Sequence, residues 1–165
     1  MNMTHYMQLL ADNQPWNLLL FMALPVVLAE TVAITELFIL FHRATSGALV
    51  RVNRFASIAG GLYFTGVFLH LMNAAVIPLT ASGQWRGPAD MIAVGFYLAG
   101  VVPLLGMALL DLKVVGRGLS RDHKLLGHAG LVALFLVVAH VAMIFGMMDP
   151  TLLGGAPSAM GHGAH

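Results

Sequence analysis

The sequence predicts an all-α, polytopic membrane protein: an antiparallel four-helix transmembrane bundle with both termini outside. Three observations carry that expectation. Hydrophobic residues fill 59% of the 165 positions and charged residues only 9%, against roughly 25% charged in an average soluble domain. Four apolar stretches approach or exceed the ~20 residues needed to cross a bilayer. Lys and Arg fall almost wholly in two of the connecting loops. So few charges cannot cover a water-facing surface, which excludes a soluble enzyme, a disordered protein and a nucleic-acid binder with a basic patch. The chain has no cysteine, so disulfides, thiolate metal sites and iron–sulfur clusters are excluded as well.

Residues 1–15 (MNMTHYMQLLADNQP) suit a short interfacial helix, with Asn13 and Pro15 as cap and first-turn proline of the first span and Trp16 at headgroup level. The expected spans are 16–41, 55–79, 91–110 and 125–148, and the last three contain no Asp, Glu, Lys or Arg. The first lacks a preceding basic segment and is too long for the core of a cleavable signal peptide. Asp149-Pro150 ends the fourth span. Residues 1–150 thus read as one transmembrane domain, and 151–165 as a flexible Met- and His-bearing tail.

Direction follows from the basic residues. Arg43, Arg51 and Arg54 lie between spans one and two, and Lys113, Arg117, Arg121 and Lys124 between three and four. The opposite side carries only Arg86. This asymmetry places the basic loops in the cytoplasm and both termini outside a bacterial inner membrane. Short loops make consecutive spans antiparallel neighbours. Ser57 and Gly61, then Gly95, Gly100 and Gly106, are positioned for close helix contacts. Pro25 and Pro103 remove backbone donors, freeing the carbonyls of Phe21 and Ala99, which need a partner at membrane depth.

Ionisable groups inside a span are costly and are functional candidates by default. Glu30, His70 and His140 are the deepest. At 1.5 Å per residue from the inner ends, Glu30 lies ~18 Å in, and His70 and His140 each ~22 Å. They are expected to share one layer, with Asn73, Met143 and Tyr97 nearby. Glu36 falls one layer below as an inner relay. His42, Asp111 and His128 sit near the inner ends, where water is at hand, and carry less weight.

Two imidazoles and a carboxylate suit a transition-metal ion such as copper, zinc or iron. The 11 Met and 8 His of the chain supply softer ligands at the outer end: Met1, Met3, His5, Met147, Met148, Met160, His162 and His165. Binding or transporting a metal is therefore the leading functional expectation. The alternative is a b-type cytochrome with His70 and His140 as axial ligands of one haem b. A third reading is a proton-coupled permease for a small solute, with Glu30, Glu36 and His42 descending one helix. No nucleophile–base pair, phosphate loop or Glu-x-x-His pair points to an enzyme. The bilayer is the expected partner, with a homo-oligomer or a larger membrane complex as the working unit and no nucleic acid.

The stretch NQPWNLLLFMALPVVLAETVAITELFILFHR, residues 13–43, resembles that of small bacterial four-span proteins labelled permeases or uncharacterised membrane proteins. The resemblance covers about one span. It implies a multi-pass inner-membrane protein, with transport as a role, and identifies no solute.

Overall fold

The computed structural model describes residues 3–43 and 46–150, which form helices joined by short turns with no β-strand among them. Four helical segments are long and apolar enough to cross a membrane: Trp16–His42, Ala48–Ser82, Pro88–Asp111 and Arg121–Met147. We refer to them as spans one to four. Span two begins at Ala48, earlier than the expected 55, because its first turns carry Arg51 and Arg54. Hydropathy reads only the apolar part of a helix. The helix itself continues into the polar layer, where long basic side chains reach water.

Span two packs along spans one and three, span four packs mainly along span three, and spans one and four touch over a short length. Gly61 sets the closest approach. A Cβ there would lie 2.5 Å from Ala108 Cβ and 2.6 Å from the Leu104 carbonyl oxygen, so the backbones of spans two and three meet directly. Gly106 abuts Leu131 of span four, whereas Gly95 faces open space and makes no close helix contact. The shared core holds Ala29, Val32, Phe64, Leu104, Met107 and Phe135.

Prolines shape spans one and two. Each carries a π-helical segment just before a proline, Leu19–Ala23 ahead of Pro25 and Met72–Val76 ahead of Pro78. A missing backbone donor loosens the ladder at that turn, and a wider turn accommodates it. The freed carbonyl of Phe21 accepts a hydrogen bond from the Tyr97 hydroxyl, and that of Leu20 accepts one from Tyr63 at 2.8 Å. The carbonyl that Pro25 exposes thus ties span one to span three. In span three the helix is interrupted at Gly100, three residues before Pro103.

The end opposite the basic loops is closed by a short helix, His5–Ala11. Thr4 caps it, accepting from the Met7 backbone N–H at 3.3 Å and donating its hydroxyl to the Gly146 carbonyl of span four at 2.7 Å. Gly146 is required there, since a Cβ would stand 2.6 Å from the Tyr6 ring. Asp90, wholly buried, accepts from the backbone N–H of His5 at 2.6 Å and of Arg86 at 3.2 Å, and its Oδ2 meets His5 Nδ1 at 2.5 Å. The Arg86 guanidinium donates to the Met3 carbonyl and to Gln8. Asn13 takes a left-handed turn and Pro15 precedes the first helical residue, so neither side chain caps span one.

Candidate functional site

Polar groups from all four spans converge at the basic end. His128, two turns into span four, lies between two carboxylates. Its Nδ1 is 2.9 Å from Glu36 Oε2 of span one, and its Nε2 is 3.3 Å from Asp111 Oδ2 at the end of span three. Span two contributes Ser57, whose Oγ is 3.4 Å from the same Nε2, and Asn53. The Asn53 amide donates to Glu36 Oε2 at 3.3 Å, Thr35 Oγ1 at 2.9 Å and the Val32 carbonyl at 3.2 Å. Lys124 closes the array, with Nζ 3.4 Å from Asp111 Oδ1.

Burial is nearly complete at the centre: the side chains of Glu36 and His128 are 6% and 4% exposed. With both ring nitrogens protonated, Glu36, His128, Asp111 and Lys124 alternate in sign and sum to zero. A proton gained or lost leaves one charge of the array without its counterpart among packed helices. Helix polarity sharpens the point. Asp111 occupies the negative end of span three, and Lys124 and His128 the positive end of span four, each against the helix dipole. Their mutual contact compensates both.

The array lines the floor of a cleft of about 240 Å³. Arg54, Lys113, Arg121 and Lys124 stand around it, with Ile39, Val50 and Leu125 as apolar wall. Glu36 Oε1 is buried without a hydrogen-bond partner, and the short Nδ1 contact to Oε2 is poorly aligned for a hydrogen bond.

The layer expected from Glu30, His70 and His140 does not form within the chain. All three are exposed on outward faces. His70 stacks on Phe21 at 6.1 Å, and His140 Nδ1 is held by its own helix at the Leu136 carbonyl, 2.6 Å away. The Glu36–His128 contact also corrects the depths. Glu30 is six residues beyond Glu36, ~9 Å, whereas His140 is twelve beyond His128, ~18 Å, and His70 thirteen beyond Ser57, ~20 Å. Counting from assumed helix ends brought Glu30 too close to the histidines.

Asn73 and Met143 are exposed too, and the Asn73 amide donates to the Leu69 carbonyl at 2.8 Å. Tyr97 is spent on Phe21. His42 is exposed and bonded to the Phe38 carbonyl at 3.0 Å, so the descent from Glu36 turns across to His128 and not down to His42. At the end opposite the basic loops His5 is engaged by Asp90; Met3 and Met147 are exposed and Met148 half-buried. Met1, Met160, His162, His165 and the 151–165 tail lie outside the described residues. Among the described residues, no group of three or more His, Asp or Glu is arranged to hold a metal ion.

Asp111 and His128 were the residues undervalued in the sequence. A signal was present: Glu36, Asp111 and His128 all fall within two turns of the basic end of their spans, and Lys124 precedes His128 by four residues, on the same helix face.

Four apolar spans around buried ionisable groups define a multi-pass membrane protein. The chain belongs to DUF6803, a family of unknown function whose model matches residues 1–162. No curated protein and no solved structure matches it.

Proposed function

We propose that this protein is a proton-coupled permease of the inner membrane for a small solute, with Glu36, His128 and Asp111 holding the exchangeable proton. The observation that carries this reading is His128 seated between carboxylates of two other spans at the floor of a cleft. A proton gained or lost there alters the charge balance at a point where polar groups of all four spans meet, so protonation and helix packing are coupled. In this reading the four spans form an antiparallel bundle. The basic loops face the cytoplasm, following the Lys and Arg asymmetry, and both termini lie outside. A homo-oligomer is the working unit, because Glu30 points away from the core among Val27, Ile34 and Leu37, where lipid alone would leave a carboxyl group unsatisfied.

The test is proton entry into proteoliposomes carrying a trapped pH dye. Inorganic phosphate, small carboxylates, amines and sugars are supplied one class at a time. Solute-dependent proton movement that disappears in Glu36→Gln and in His128→Gln supports the reading. Movement indifferent to both substitutions, or none with any class, retires it.

A further inference from the structure

We propose that the cleft above the Glu36–His128–Asp111 array binds a small oxyanion, a carboxylate or a tetrahedral anion, together with a proton on Glu36. The inference names the solute class for the proton-coupled reading and rests on it.

Charge is the first argument. Arg54, Lys113, Arg121 and Lys124 surround a space whose acidic groups, among the described residues, are Glu36 and Asp111, and Asp111 is already met by Lys124 and His128. Arg54 and Lys113 are exposed at the rim. Their positive charge focuses anions from solution.

The second argument is independent of the rim. Glu36 Oε1 is a buried carboxyl oxygen with no hydrogen-bond partner, on a side chain that lines the cleft. As a bare carboxylate oxygen it can only accept, and it repels an anion. As a protonated carboxyl it acquires an O–H for which the described residues supply no acceptor. An anion in the cleft would be that acceptor. One proton therefore removes the repulsion and adds a donor.

Size agrees with a small ligand. About 240 Å³ lies below the roughly 300–1,000 Å³ of sites for drug-sized molecules. The groups facing Glu36 set the sign of the pH effect. They are His128 of span four, Asn53 of span two, and Asp111 across the imidazole, with the four cations beyond. Because the anion is bound together with one proton, its affinity rises as the medium becomes more acidic.

Calorimetric titration of the purified protein in neutral detergent tests this, with sulfate and glycolate as probes because neither titrates in the neutral range. Wild type should bind at least one probe, about ten-fold more tightly at mildly acidic than at mildly alkaline pH. Glu36→Gln should bind with no such slope. Arg54→Gln and Lys113→Gln, at exposed positions that leave the core intact, should each weaken binding by up to about five-fold. A short-chain phosphatidylglycerol arm separates free solute from lipid headgroup: if it alone binds, and is lost in the same variants, the oxyanion belongs to lipid. No binding of any probe, or binding unchanged in both rim variants, overturns the site. Binding with a flat pH profile overturns the role of Glu36. Anion binding with the expected slope but no proton flux in proteoliposomes would retire the permease reading and leave the site standing.

Discussion

His128 Nδ1 of span four lies 2.9 Å from Glu36 Oε2 of span one, across an interface where the two spans otherwise touch little. The contact closes the ring of spans at the basic end. It also makes a buried charge on one helix depend on a proton held by another.

Removing one member of this pair is expected to be severe. His128→Leu strands Glu36 without its counter-charge, Glu36→Leu leaves His128 with Asp111 alone, and breaking a buried ion pair costs about 3–5 kcal/mol. The double variant Glu36→Leu/His128→Leu should be less destabilised than the sum of the two single changes. Denaturant unfolding of all four proteins in the same detergent measures the difference directly; strict additivity would show that the pair does not act as a unit.

Gly61 and Gly66 should respond oppositely to the same substitution. At Gly61 an added methyl group collides with Ala108 and the Leu104 carbonyl, and Gly61→Ala is expected to lose about 1–3 kcal/mol as spans two and three separate. At Gly66 nothing lies within 4 Å, and Gly66→Ala should gain up to about 1 kcal/mol through reduced backbone freedom in the unfolded chain. Paired thermal scans give the comparison.

Asp90 anchors the His5–Ala11 helix from beneath. Asp90→Asn exchanges a carboxylate acceptor for an amide where three donors converge. Amide exchange in residues 5–11 should accelerate at least ten-fold, while protection in the cores of spans two and three stays unchanged. Equal acceleration in both regions would mean that the helix is no separable cap.

The outward position of Glu30 predicts self-association through span one. The chain has no cysteine, so Val27→Cys and Ile34→Cys, one turn to either side of Glu30, each introduce a unique thiol. Oxidation in native membranes is expected to yield a disulfide-linked dimer through at least one of them, reduced when Glu30→Leu is added. Monomer alone in both single variants would count against a second copy on this face.

Much of the architecture was legible because membrane insertion is a local property. Hydropathy over twenty residues needs no knowledge of packing. The same locality exposed the role of Pro25: a proline deletes a known donor, so the orphaned Phe21 carbonyl could be named before its partner, Tyr97, was seen. The site was less accessible. Depth along a helix can be counted, but the direction a side chain faces depends on which neighbours surround it, and burial is a property of the pair. Glu30 is central by depth yet faces outward; Asp111 and His128 are near the helix ends by depth yet buried between spans one and two.

By itself, then, the sequence determined that this protein crosses a membrane, roughly where, and which carbonyl Pro25 exposes, since each follows from residues adjacent in the chain. Only the tertiary structure decided that Glu36, His128 and Asp111 belong together, because their contact is made between helices distant in sequence. Close packing of the same kind, Gly61 against Leu104 and Ala108, sets how spans two and three are rotated against each other.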